Sequence, residues 1–251
     1  MGWIGVLAQC AFDFLIEERC HACGRSVDDA PAHAGASPLA AAVDVIALAR
    51  LRLTSRLLCA PCADQVQRWT APVILPARGV VSGSRALLLF PAFVTDDRLL
   101  AIIHLLKFGR RERVAPWLAR AMLAGLASSA RAGDDGQVVV PVPMDRSARA
   151  RRGFNQAESI ARGLAAGWRL PLAPRALAKT RRTKTQSSLG RDARLRNMED
   201  AFRANANVVH ARRVILVDDL VTTGATVRSC ALALGRAGAR EVRVVCAGYR
   251  A

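Results

Sequence analysis

The stretch VILVDDLVTTGATV, residues 214–227, constrains the fold of this chain more than any other part of it. Four apolar residues run into two adjacent carboxylates, and a cluster of Thr and Gly follows. A short apolar, β-branched run of this kind reads as a buried strand. The segment after it, TGATVRSCALALGRAG, reads as a helix with a glycine stop at Gly238. A buried strand turning at once into a helix asks for a parallel sheet covered by helices.

The rest of the chain from residue 85 repeats that pattern. RALLLFPAFV (85–94), QVVVPV (137–142), RRVILV (212–217) and EVRVVCAG (241–248) read as strands. TDDRLLAIIHLLKF (95–108), capped by Thr95 or Asp96, and RVAPWLARAMLAGLASSA (113–130) read as helices. NQAESIARGLAA (155–166) adds a third, with Asn155 as N-cap and Glu158 three residues on, as in a capping box. The expected class is α/β: a mostly parallel twisted sheet with helices on both faces. APVILPARGVVSGS (71–84) is rich in Pro and Gly and reads as a linker, which divides the chain into a module over 1–75 and a domain over 85–251.

In open α/β sheets ligands bind beyond the carboxyl ends of the strands. Asp218 and Asp219 are expected at such an end, and Thr222, Thr223, Gly224, Ala225 and Thr226 make the turn that follows. The loop offers acceptors first, then backbone amides, hydroxyls and a helix N-terminus. A ribose 5-phosphate suits that order: its vicinal hydroxyls donate to the carboxylates, and its phosphate accepts from the amides. Upstream, PVPMDRSARARRGFNQAESIA (141–161) leaves another strand. Pro141 and Pro143 stiffen the exit, and Val142, Pro143, Arg146, Arg149, Arg152 and Gly153 make a basic loop suited to pyrophosphate. KTRRTKTQSSLGRDARLRNMEDAF (179–202) is charged and poor in apolar residues. It reads as a mobile lid, with Thr183, Gln186, Arg191, Arg194 and Asn197 as polar contacts.

VILVDDLVTTGAT resembles the phosphoribosyl pyrophosphate (PRPP) motif of type I phosphoribosyltransferases. The resemblance implies that fold, with Asp218 and Asp219 on the ribose 2′ and 3′ hydroxyls, residues 222–226 on the 5-phosphate, and Mg²⁺ bridging ribose and pyrophosphate oxygens. Purine-salvage members usually carry an acid where this chain has Thr222, so purine-base salvage is not expected. The order RARRGFNQAESIARGLA, KTRRTKTQSSLGRDARLRNMEDAF, VILVDDLVTTGAT, preceded by LLAIIHLLKFGRRE (99–112), is similar to the ComF family of phosphoribosyltransferase-like proteins. That family includes competence proteins that handle transforming DNA, and membership implies no defined reaction or acceptor. Proteins of the competence machinery are the partners it suggests.

Cys20 and Cys23, then Cys59 and Cys62, form two C-x-x-C pairs. Such pairs can supply a tetrahedral thiolate shell for a structural Zn²⁺. The 35 residues between them exceed the usual ~15–20, and reduced thiols in a small core are the alternative. The family resemblance adds an N-terminal zinc-finger-like pattern, here with an insertion, as a small zinc-ribbon-like domain.

Charge bears on partners. Lys and Arg number 37 against 20 Asp and Glu, a formal +17, and residues 145–203 hold fifteen against five. Such a field favours phosphorylated metabolites or nucleic acid. Single-stranded DNA bound through the same basic pocket is therefore the second functional reading. Few aromatics stand against it, because single-strand binders stack bases on exposed rings. No apolar run approaches the ~20 residues of a membrane span, so no membrane insertion is expected. MGWIGVLAQCAFDF lacks a basic start and meets Asp13 early, which points to the cytoplasm.

Overall fold

The computed structural model describes Cys20 and, beyond residue 65, positions 66–77, 80, 86–108, 112, 114–126, 130, 136–180 and 201–250. The chain divides into two compact units, Met1–Val66 and Gln67–Ala251. The first is represented by Cys20, whose side chain is buried at 2% exposure, and by Val66. Cys23, Cys59 and Cys62 lie outside the described residues, as does 181–200 with Thr183, Gln186, Arg191, Arg194 and Asn197.

The second unit is a five-stranded sheet in the order β1-β2-β7-β6-β3. Its strands are β1 Val73–Pro76, β2 Ala86–Val94, β3 Gln137–Pro141, β6 Arg213–Val221 and β7 Glu241–Tyr249. All neighbouring pairs are parallel except β1 with β2. Two further strands, β4 Leu177–Lys179 and β5 Phe202–Ala204, pair antiparallel as a small separate sheet. The helices are α1 Asp97–Phe108, α2 Val114–Gly125, α3 Arg146–Arg152, α4 Gln156–Trp168, α5 Ala206–Val209 and α6 Ala225–Arg236. No helix among the described residues is long and apolar enough to cross a membrane.

Side chains alternate across a strand, so each face of β6 builds a different core. Val214 and Leu216 join Val138, Val140 and Val244 in a cluster with Val227, Cys230 and Leu234 of α6 and with Leu177 and Val209. Ile215 and Val217 are equally buried but outside that cluster, and α4, with α2 behind it, packs against β6. Helices thus cover both faces. The α2–α4 contact is close because Gly163 lies where a Cβ would come within 2.5 Å of the Ala119 Cβ.

The helix starts follow the expected chemistry. Asp96 rather than Thr95 caps α1, its Oδ1 accepting from Leu99 N at 2.9 Å. Thr95 instead donates to the Tyr249 carbonyl at 2.9 Å. Asn155 caps α4 by accepting from Ala157 N at 3.2 Å. The expected capping box does not form: Glu158 turns to Arg149 and Arg162, at 3.3 Å each, instead of to the Asn155 amide.

Three expectations change. Val73–Pro76 is not linker but the edge strand of the sheet, with Leu75 buried at 3% exposure, and the division between units falls earlier, after Val66. Pro is tolerated at an edge because no inward amide is needed there. Arg146–Arg152 is not a loop but the helix α3, nucleated by Asp145, whose Oδ1 accepts from Ser147 N at 2.9 Å. β6 does not stop at Val217; it continues to Val221 and carries both acids within it.

Candidate functional site

Asp218 and Asp219 lie in the last part of β6, with Asp218 beside Cys246 of β7 in register. Being adjacent on a strand, they turn to different sides. Asp218 is half-buried on the side of α6, where the buried thiols of Cys230 and Cys246 feel its charge. Burial first, and Asp218 second, hold both thiols protonated well above their ordinary range. Asp219 is 7% exposed, and its Oδ2 meets the Lys107 ammonium of α1 at 3.1 Å. Each carboxylate also accepts from the next amide: Asp218 Oδ1 from Asp219 N at 2.9 Å, and Asp219 Oδ1 from Leu220 N at 2.7 Å.

These surroundings separate the two acids. Burial and the Asp219 charge raise the Asp218 carboxyl to about 8, against the opposing pull of the Asp219 amide and of Lys107. The basic field does not by itself relieve their proximity. One carboxylate has a cation, and the other tends to keep its proton.

The turn after β6 brings its five residues to the start of α6. Thr222, Thr223 and Thr226 are exposed, Ala225 is half-buried and Gly224 is buried. Gly224 has φ +73, in the left-handed region that glycine adopts without strain. It is the N-cap of α6 and supplies no side-chain cap. Thr223 Oγ1 accepts from Ala225 N at 3.4 Å, a long contact that leaves the first turn able to donate to an anion. Arg228, unnoticed in the sequence, stands beside this turn: its Nη2 is 3.5 Å from the position of a Gly224 Cβ.

The exit from β3 adjoins the acids. Val142 N donates to the Val217 carbonyl at 2.9 Å, and the Val142 carbonyl accepts from Asn155 Nδ2 at 3.0 Å. Val142 is thus fastened to β6 on one side and to the cap of α4 on the other, with half-buried Pro143 next to it. Arg146 is exposed at the start of α3. Arg149 pairs with Glu158, and Arg152 Nη1 donates to Gln156 Oε1 at 3.5 Å. Gly153, φ +85, closes the helix by donating to the Arg149 carbonyl at 2.7 Å. Lys179 lies 4.0 Å from Asp145, so the strand entering the 181–200 segment reaches the base of α3. The structure therefore gathers the β3 exit, the acids and the turn at one end of the sheet.

Lys107 and Gln156 were not singled out from sequence, because each acts across elements far apart in the chain, whereas Arg228, one helical turn after Gly224, reads in the sequence as an ordinary helix arginine. Two carboxylates, one already paired to Lys107, do not make a metal cage. No group of three or more His, Cys, Asp or Glu arranged for a metal occurs among the described residues. A Mg²⁺ here fits only as an ion brought in largely on a ligand's own oxygens.

Comparison with known proteins agrees with this architecture. Residues 120–251 match the phosphoribosyl transferase domain family. The chain is 37% identical over 147 residues to DNA utilization protein YhgH of Escherichia coli K12, covering 58% of this chain and 64% of that one. It is 36% identical over 106 residues to competence protein ComFC of Streptococcus pneumoniae, covering 42% and 44%. The chain thus spans less than two thirds of the length of either relative. A solved structure of the allosteric regulatory enzyme of purine biosynthesis aligns at 25% identity with a TM-score of 0.37, over 55% of this chain and 25% of that one. The chain belongs to the phosphoribosyl transferase domain family and is a phosphoribosyltransferase-like protein of the ComF type.

Proposed function

We propose that the site binds phosphoribosyl pyrophosphate, or another ribose phosphate, in a Mg²⁺-dependent manner. One observation carries the reading: a single strand–turn–helix unit sets two carboxylates near the end of its strand, two residues before a glycine-bent turn at a helix N-terminus. Asp218 and Asp219 accept from the ribose hydroxyls. Residues 222–226 donate to the 5-phosphate. Arg146 and Arg152, beside Val142, Pro143 and Gly153, serve the pyrophosphate, with Arg149 recruited away from Glu158. Thr183, Gln186, Arg191, Arg194 and Asn197 close over the ligand. Magnesium, if bound, would be carried largely on the ligand's own oxygens beside Asp218 and Asp219 and would supply charge neutralisation there. Transfer of the phosphoribosyl group would then depend on positioning and charge stabilisation by these residues, with the acceptor open. A cytoplasmic setting, where PRPP is found, goes with this reading.

A second reading is favoured by the names of the relatives, which refer to DNA utilization and competence. In it the pocket and its basic surroundings hold the phosphates of single-stranded DNA during uptake, alongside competence-machinery proteins. Isothermal titration of the full chain with PRPP, with and without Mg²⁺, separates the two when repeated with a single-stranded oligonucleotide as competitor. Mg²⁺-dependent PRPP binding is the expected result. Absence of PRPP binding, with oligonucleotide affinity that falls steeply with salt, would favour the second reading and remove the first.

Cys20, Cys23, Cys59 and Cys62 are proposed to hold a structural Zn²⁺, and the burial of Cys20 is compatible with that role. Elemental analysis should find about one zinc per chain. Metal-free protein that melts as cooperatively as the native preparation would end that assignment.

A further inference from the structure

We propose that Lys107 is a positioning residue for the ribose subsite: its ammonium holds Asp219 as an aimed carboxylate able to accept from a sugar hydroxyl. The inference rests on the ribose phosphate reading above and concerns how that site distinguishes a ribose phosphate from bare phosphate.

Asp219 is buried, and a buried carboxylate is costly unless paired and hydrogen-bonded. Lys107 Nζ lies 3.1 Å from Oδ2, while Leu220 N occupies one lone pair of Oδ1 at 2.7 Å. A carboxylate accepts at about four lone-pair sites, so each oxygen retains capacity for a hydroxyl donor. The two contacts fix the orientation of the group from opposite ends.

The backbone that carries Lys107 is itself fastened. Leu106 is fully buried, and its carbonyl accepts from Gln156 Nε2 at 3.5 Å. Gln156 Oε1 accepts in turn from Arg152 Nη1. The end of α1 is thereby tied to the start of α4 and to α3, the elements beside the β3 exit. A cation in the last turn of α1 is also favoured by the helix dipole. Lys107 therefore connects the basic side of the site to the carboxylate it positions.

The test compares affinities of the full chain for ribose 5-phosphate and for inorganic phosphate. Wild type should prefer the ribose phosphate. Lys107→Met should cut that preference about tenfold, while phosphate affinity stays within about twofold. Lys107→Arg should restore most of it. In an Asp219→Asn background, Lys107→Met should add nothing, because the lysine acts through that carboxylate. Lys107→Gln, which keeps a neutral donor, serves if Lys107→Met does not fold, and the same loss is expected. Preference retained in the Met or Gln variant overturns this inference alone, as does a fully additive loss in the Asp219→Asn background. Wild-type protein that binds both ligands alike, or neither, overturns the ribose reading and this inference with it.

Discussion

Asp218→Asn is expected to raise stability at alkaline pH while weakening ribose phosphate binding, two effects of opposite sign from one carboxyl. The carboxyl, ordinarily near 3.8, is pushed up to about 8 in the folded chain by burial and the Asp219 charge. Between those values the folded state holds a proton that the unfolded state has released. Folding then takes up a proton, so wild-type stability falls as pH rises across that window and levels off above it. Asn cannot ionise and removes the slope. Asp218 is half-buried rather than sealed, so solvent moderates the penalty, and the gain should be a few kcal/mol at most. At roughly 2–4 °C per kcal/mol for a chain of this size, the variant should match wild type near or below about pH 4 and melt several degrees higher near pH 8.5. Melting curves of the two proteins that run parallel from pH 5 to 9 would refute the account. Ligand binding should run the other way. A ribose hydroxyl donates best to the ionised group, so wild-type affinity should improve toward pH 8.5 and the variant should lose about tenfold or more there. Wild-type binding at pH 7 should release protons, visible as a binding enthalpy that depends on the buffer.

The sheet and its strand–turn–helix unit were legible because their signals are local. VILV is too apolar and β-branched to be anything but buried, and Asn155 and Gly238 punctuate helices by backbone chemistry that needs no partner elsewhere. The α3 helix was not legible because Arg146–Arg152 has no apolar stripe; its order comes from the Asp145 cap and from Gly153. β1 was hidden by its own composition, since Leu75 is the one fully buried side chain in Val73–Pro76. The division of labour between the acids was available in principle. Neighbours on a strand face opposite sides, but only if the strand is known to continue past Val217. The partner of Asp219 was not available at all. Periodicity places Lys107 on a helix, but which strand its ammonium reaches depends on β7 inserting between β2 and β6.

Gly224→Ala should impair the turn more than any other single methyl placed there. A residue with a Cβ at φ +73 costs about 1–2 kcal/mol from local sterics alone. The new methyl would also lie 3.0 Å from Leu75 Cδ1 and 3.5 Å from Arg228 Nη2. Leu75 belongs to the core on that face and cannot simply withdraw. Relief must come from the backbone swinging out of the left-handed region, which re-aims the amides of Ala225 and Thr226. Melting temperature should therefore fall by roughly 2–8 °C, and inorganic phosphate affinity by about tenfold as one charge-assisted contact is lost. Gly224→Val should be worse, because a β-branched residue resists positive φ more strongly. Gly136→Ala is the matched control: Gly136 has φ +69 with nothing within 4 Å of its Cβ position, and it precedes β3 at the opposite end of the sheet. It should lower the melting temperature through the same strain and leave phosphate binding intact. Equal loss of phosphate affinity in both variants would mean that general destabilisation, not the geometry of the turn, governs binding. Unchanged affinity in Gly224→Ala would remove residues 222–226 as the phosphate loop.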